Sequence, residues 1–217
     1  AVITPTEATR ADVLTLHPEA EALVRVVPNG FAASVWEAAR REPEDPPYVV
    51  MVGTGENRRM ARKKGLDVAL DVWRRGLAPA GVTLVLVGRP ALPLVAGVEA
   101  RADLTDEQLR HLVAGARALL YPSRSEGFGY PPLEALAAGV PVVASDVPAV
   151  AEVVGDAAVL VPSGDADALA SGIQRVLEEE TVRAACLRAA RARLDRVTPV
   201  RAATALRDVL RSLGVPA

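Results

Sequence analysis

Several scarcities bound what this chain can be. Its 217 residues include one cysteine, Cys186, and two histidines, His17 and His111. A lone thiol cannot close an intrachain disulfide, and these three residues have no zinc-type spacing, so a disulfide scaffold and a structural zinc site are both excluded. This cysteine usage fits a reducing, cytoplasmic compartment. Charge of one sign is also missing, since 25 basic residues stand against 27 acidic ones for a net of −2. Such a balance gives no sequence-wide attraction to nucleic acid or to an anionic membrane. Long apolar runs are absent too. The longest, Ala135 to Ala144, contains Gly139 and Pro141 and covers about half of the ~20 residues that a membrane-spanning helix needs. The first residues, Ala1-Val2-Ile3-Thr4-Pro5, show neither an initiator methionine nor the basic-then-apolar design of a signal peptide, which predicts the cut end of a longer chain.

Lysine is the last scarcity. Only two of the 25 basic residues are lysine, and they are adjacent, Lys63 and Lys64. Coding bias toward arginine accounts for the ratio. It also singles out the pair, because a compact ammonium contacts phosphate differently from a planar guanidinium.

What is present is a soluble globular composition, 50 % apolar and 24 % charged, with no internal repeat and no low-complexity tract. Short, nearly continuous apolar runs recur: Tyr48 to Gly53, Val82 to Gly88, Ala118 to Tyr121, Val140 to Ala144 and Ala158 to Val161. Such runs are the mark of parallel strands buried on both faces. Helical patterns alternate with them. Leu66, Ala69, Leu70 and Trp73 share one helical face, and Thr105 with Gln108 forms a capping box for a helix through Leu112. Repeated βαβ units predict an α/β, Rossmann-like doubly wound parallel sheet, with ligands at the carboxyl ends of its strands. From about Asp165 to Leu213 the pattern is helical only, with a new helix expected at Thr198-Pro199. The first thirty residues read as a helix (Glu7 to Leu16), a short strand (Val24 to Val27) and a turn (Pro28-Asn29-Gly30). A domain boundary is expected near Gly30.

The densest chemical signal is Ser123-Arg124-Ser125-Glu126-Gly127-Phe128-Gly129-Tyr130-Pro131-Pro132-Leu133-Glu134-Ala135. A strand ends at Tyr121, a glycine-bearing loop follows, and two prolines occupy the place of a first helical turn. The backbone amides of Gly127 to Tyr130 are therefore expected free at a helix N-terminus, an arrangement that binds anions. Glycines allow a phosphate close to the backbone. Glu126 before the helix and Glu134 about one turn inside it can both face a ligand resting there; the competing reading makes them a cap and a support for the first turn.

This segment resembles the donor-site signature of the family-4 retaining glycosyltransferases of GT-B fold, in which two glutamates are separated by seven residues, here Glu126 and Glu134. The resemblance extends through Ala137-Ala138-Gly139-Val140-Pro141-Val142-Val143-Ala144-Ser145, then Glu152-Val153-Val154-Gly155-Asp156-Ala157-Ala158, and back to Val26-Val27-Pro28-Asn29-Gly30, which looks like that family's interdomain linker. It implies that residues 31–217 are a C-terminal nucleotide-sugar-binding domain and that residues 1–30 are the tail of an N-terminal acceptor domain plus linker. It also implies roles. Glu126 would hold donor-sugar hydroxyls, Glu134 the ribose hydroxyls, and the amides of Gly127, Phe128 and Gly129 the diphosphate. Lys64, in the stretch Gly53 to Gly65 after the first long strand, matches the family's phosphate-clamp lysine. The partner arginine is one of Arg58, Arg59 and Arg62, with Arg59 preferred, since Thr54 stands where many relatives have arginine.

The implied reaction transfers a sugar, such as mannose or glucose, from a nucleotide-diphosphate sugar such as GDP-mannose or UDP-glucose to an acceptor with retention of configuration, as in polysaccharide or glycoconjugate biosynthesis. No cofactor or metal is implied. Membrane association would come only through the N-terminal domain. Two rivals remain: a non-catalytic nucleotide-sugar-binding module, and a GT-B-type epimerase or phosphorylase.

Three other patterns carry less. Gly53-Thr54-Gly55 lacks the third glycine and the acidic residue of a dinucleotide fingerprint. Asp165-Ala166-Asp167 opens a helix, where aspartate is an ordinary cap. His17 and His111 sit in helical, charged settings where no acid partner is expected nearby, and together with Cys186 they have no nucleophile–base arrangement.

Overall fold

A computed structural model describes residues 1–215. In chain order the elements are β1 (Val2–Thr4), α1 (Glu7–Leu16), β2 (Val24–Val26), α2 (Ala33–Glu37), β3 (Tyr48–Val52), α3 (Arg58–Lys63), α4 (Leu66–Val72), β4 (Thr83–Val87) and β5 (Val98–Arg101). They continue with α5 (Asp106–Ala114), β6 (Ala118–Tyr121), α6 (Tyr130–Ala137), β7 (Val142–Ser145), α7 (Pro148–Val154), β8 (Ala158–Val161), α8 (Ala166–Glu178), α9 (Glu180–Leu194) and α10 (Pro199–Ser212).

Six strands form one parallel sheet in the order β5-β4-β3-β6-β7-β8. The expected doubly wound sheet is present. Its strands are apolar at successive positions because both faces are covered. Val49, Met51, Leu84, Leu86, Ala118 and Leu120 pack into one layer with Leu66 and Leu70 of α4 and Leu169 and Ile173 of α8. Val50, Val85, Leu119, Tyr121, Val142 and Ala144 pack into the other with Leu133 and Leu136 of α6 and Leu194 of α9. Neighbouring strands on either side of the β3–β6 pair run off in opposite directions, so the chain's winding reverses there. A crevice opens at such a reversal, beyond the strands' carboxyl ends.

Local signals set the helix starts. Thr105 and Gln108 make the expected capping box, and α5 runs on to Ala114, two residues past Leu112. Thr198 caps α10 with Pro199 at its first position. The apolar face of α4 continues through Trp73 by spacing, but the helix ends at Val72 and widens into a π-type turn over Trp73–Leu77. That turn brings Gly76 against Ala170 of α8, where a Cβ would sit 3.3 Å away. The fourth long strand begins at Val142, not Val140, because Pro141 offers only its carbonyl, which accepts from the Leu119 amide at 2.9 Å. β5 carries no apolar run: it is an edge strand in which only Val98 is buried.

A second, two-stranded parallel sheet pairs β1 with β2. Between them, α1 begins where the Thr6 hydroxyl accepts from the Thr9 amide. Its next amides, of Glu7 and Ala8, donate to the two carboxylate oxygens of Glu152 on α7, at 2.9 and 3.0 Å. The first segment is thus tied to the large sheet's layer of helices. No helix among the described residues is long and apolar enough to cross a membrane.

Candidate active site

The crevice is built by two loops. The first leaves β3 through Gly53 and Gly55, and Asn57 then caps α3 by accepting from the Met60 amide. After Lys63 and Lys64 the chain turns at Gly65, whose φ of +73° is open to glycine at little strain. A Cβ there would lie 2.0 Å from the Pro122 carbonyl oxygen, so the α3–α4 junction presses directly on the second loop, which follows β6. Backbone contacts join the two. The Arg124 amide donates to the Lys63 carbonyl, which α3 leaves open at its end, at 2.8 Å, and the Arg124 guanidinium donates to the Arg62 carbonyl at 2.7 Å. The same guanidinium grips both oxygens of Asp67 at 2.7 and 2.8 Å and holds that carboxyl below its ordinary pKa.

Two residues singled out in the sequence meet at this junction. The Lys64 Nζ lies 2.7 Å from Glu126 Oε1, with the side chains only 23 % and 11 % exposed. The Ser123 hydroxyl donates to the same oxygen at 2.7 Å. Burial pushes the Glu126 carboxyl upward, but hydrogen bonds from Lys64, Ser123 and Tyr121 together outweigh it and leave it below its usual value. Glu134 is the opposite case. Half-buried on α6, it has no side-chain hydrogen bond or ion pair among the described residues, and desolvation raises it to about 7. One carboxylate is fixed as an anion, while the other sits near neutrality with its lone pairs unclaimed. Environments that push paired carboxyl groups apart in this way divide their chemical roles.

Between them the chain turns into α6 through Gly129, at φ +103°. Pro131 and Pro132 in the first turn have no N–H to offer. Free donors are therefore concentrated just ahead, where the amides of Gly127, Phe128, Gly129 and Tyr130 find no protein acceptor among the described residues. The Phe128 side chain is buried, with its ring 5.1 Å from that of Tyr130, so only its backbone is offered to a ligand. Arg59 is placed apart. It is exposed on α3 and, like Arg58 and Arg62, makes no side-chain hydrogen bond or ion pair among the described residues.

Some groups at the site carried no sequence signal. A cavity of about 790 Å³ opens between Gly53–Asn57 and Gly88, Arg89, Ala102 and Asp103, with Arg89 and Asp103 paired at 2.7 Å across its rim. Neither residue belongs to a recognisable spacing, and Asp103 lies on a loop at φ +56°. Thr6 and Thr9 also reach the second loop, their hydroxyl oxygens each 3.1 Å from the Gly127 carbonyl oxygen.

The weaker patterns resolve locally. Asp165 caps α8 by accepting from the Ala168 amide, and Asp167 pairs with Arg75. Cys186 is buried on α9, which pushes its thiol up. His17 corrects one expectation: it has an acid partner, Glu19 two residues on, at 3.2 Å, because the chain bends into a 3₁₀ turn at Pro18–Ala20. Both side chains are exposed, so the pair builds no site. Among the described residues, no group of three His, Cys, Asp or Glu residues is placed to hold a metal ion.

The sequence profile of the family described as "Glycosyl transferases group 1" matches residues 46–179, a span running from the start of β3 through α8 and including both loops. The chain belongs to this family. Among curated relatives of this group 1 glycosyltransferase chain, the O-antigen chain mannosyltransferase B of Escherichia coli is 47 % identical over 78 residues, 36 % of this chain and 20 % of the relative. The MMP alpha-(1->4)-mannosyltransferase of Mycolicibacterium hassiacum is 30 % identical over 191 residues, 82 % of this chain and 45 % of the relative. Among solved structures, the sucrose-phosphate synthase of Thermosynechococcus elongatus superposes with a TM-score of 0.78 at 25 % identity, covering 98 % of this chain and 58 % of that one. The Anabaena protein HepE, solved with UDP-glucose, gives 0.76 at 20 % identity, covering 98 % and 63 %, a likeness of fold. The fold is that of GT-B glycosyltransferase structures, and the chain spans half or less of the length of these curated relatives.

Proposed function

We propose that this chain is the donor-binding, C-terminal half of a retaining glycosyltransferase, and that a nucleotide-diphosphate sugar binds where β3 and β6 diverge. The observation that carries the reading is the convergence of Lys64, Glu126 and the free amides of Gly127–Tyr130 at that point, with the unpartnered Glu134 on the same helix. The names of the relatives, mannosyltransferases and a sucrose-phosphate synthase among them, support the reaction class.

In this reading the diphosphate rests on the loop amides and Lys64, and an arginine of α3, Arg59 first, swings in from solvent. A lysine ammonium has three donors. One can stay on Glu126 while the others meet phosphate oxygens, and that shared contact sets Glu126 at the junction of sugar and diphosphate. As the glycosidic bond to the diphosphate breaks, charge builds on the departing oxygens, and cationic and amide donors already in place stabilise it without reorganisation. Glu134 accepts from the ribose hydroxyls. Acceptor contacts fall to an N-terminal half, in keeping with the length of the relatives.

The test is calorimetric titration with GDP and UDP, and with guanosine and uridine. Lys64→Ala is expected to weaken the diphosphates at least tenfold, since a hydrogen bond to a charged group contributes about 1.5–3 kcal/mol, and to leave the nucleosides unchanged. Equal losses for both ligand classes would overturn the assignment.

A further inference from the structure

Thr6 and Thr9 stand outside the family-matched span, 121 and 118 residues from the loop they touch. Thr6 is buried, and its Oγ1 lies 2.8 Å from Thr9 Oγ1 and 3.1 Å from the Gly127 carbonyl oxygen; Thr9 Oγ1 is also 3.1 Å from that oxygen. Three short contacts share only two hydroxyl protons. A carbonyl oxygen can only accept, so at least one hydroxyl must donate to Gly127, and the second either joins it or bonds the first. Thr6 meanwhile accepts from the Thr9 amide as the cap of α1, which orients its lone pairs and leaves its proton for the loop.

The consequence lies on the other side of one peptide bond. In a trans peptide the carbonyl and the following N–H point in opposite directions within one plane. Holding the Gly127 oxygen against α1 therefore aims the Phe128 N–H away from α1, and this amide is among those without a protein acceptor. Gly127 itself is exposed and has no side chain to fix the plane. The anchor on the other side is firm, because Glu152 of α7 takes the Glu7 and Ala8 amides in a two-pronged contact. We infer that Thr6 and Thr9 are positioning residues that set the Gly127–Phe128 peptide so that the Phe128 amide binds the diphosphate of the nucleotide-sugar donor. The inference rests on the donor-site reading above.

The test uses two double variants of the chain. Thr6→Asp/Thr9→Val keeps a strong cap at the start of α1 but leaves no hydroxyl proton for Gly127, whereas Thr6→Ser/Thr9→Ser keeps both the cap and the donors. GDP, UDP, guanosine, uridine and inorganic pyrophosphate are titrated against each. The inference expects the Asp/Val variant to lose about tenfold or more in affinity for GDP, UDP and pyrophosphate, with guanosine and uridine unchanged and the Ser/Ser variant restoring the diphosphates. A uniform loss for nucleosides and nucleotides would show that the threonines merely hold the fold, and unchanged diphosphate affinity would show that the peptide needs no such hold; either result overturns the inference. If the unsubstituted chain binds none of these ligands, the donor-site reading itself falls and takes the inference with it.

Discussion

Glu126 and Glu134 share a signature and part ways in the structure. The carboxylate of Glu126 is ionised by three donors, while that of Glu134 is stranded near pH 7 by burial alone. The second has a cost for the empty protein. A carboxyl whose folded pKa, about 7, lies above its ordinary 4.5 keeps its proton in the native state after the unfolded chain has released it. Stability therefore falls as pH rises from about 4.5 to 7 and stays low above, by an amount on the order of 3 kcal/mol. Glu134→Gln removes that loss. It is expected to raise the unfolding midpoint of the unliganded chain at pH 8 by roughly 6–12 °C, with no gain near pH 4.5. In titrations the same variant should weaken ribonucleoside diphosphates and leave their 2′,3′-dideoxy analogues unaffected. Additive losses would assign Glu134 to the helix turn instead. The seven-residue spacing and the glycine-proline loop between these glutamates were legible in the sequence, as was the scarcity of lysine that singles out the Lys63–Lys64 pair. The opposite fates of the two carboxyl groups were not, because they depend on Ser123, Tyr121 and the degree of burial, which no local pattern encodes.

At the scale of elements, the site depends on one junction. α3 and α4 could follow each other as a continuous helix, but Gly65 breaks them in a left-handed turn that seats Lys64 over the end of β6. Gly65→Ala would force a Cβ to 2.0 Å from the Pro122 carbonyl in a backbone region that alanine resists. The expected result is a loss of at least about 2 kcal/mol in denaturant unfolding, and weakened diphosphate binding even where the chain remains folded. The central strands and the long helices could be read from apolar runs and caps because those elements bury whole faces or carry their own start signals. β1, β5, α3 and α7 could not. Each is only three to seven residues long, and β1 and β5 are mostly solvent-facing, so charged residues such as Glu99 and Arg101 hide a strand held by its neighbour's backbone.

Across the whole molecule, the sheet order places the reversal between β3 and β6 at its centre, and every group assigned to the diphosphate comes from the two loops or α3 beside it. The family resemblance implies that residues 1–30 are the tail of another domain plus a linker. Their contacts with Gly127 and Glu152 join partners more than a hundred residues apart and were invisible to it. Glu152→Gln should weaken the grip on α1, and hydrogen exchange at the Glu7 and Ala8 amides is expected to accelerate about tenfold or more, because charged acceptors hold such amides more strongly than neutral ones.

The Thr6–Thr9–Gly127 contact also works in reverse. Whatever factor a docked α1 adds to the affinity for a diphosphate, a bound diphosphate must add to the docking of α1, since the two equilibria share one thermodynamic cycle. Nucleotide occupancy would then be readable at the far end of the chain as slower exchange of the Glu7 and Ala8 amides, and a pull on the segment before Pro28 would be felt as faster nucleotide release. If the pocket takes a diphosphate as proposed, helix α1 would act as a gauge of whether it is filled.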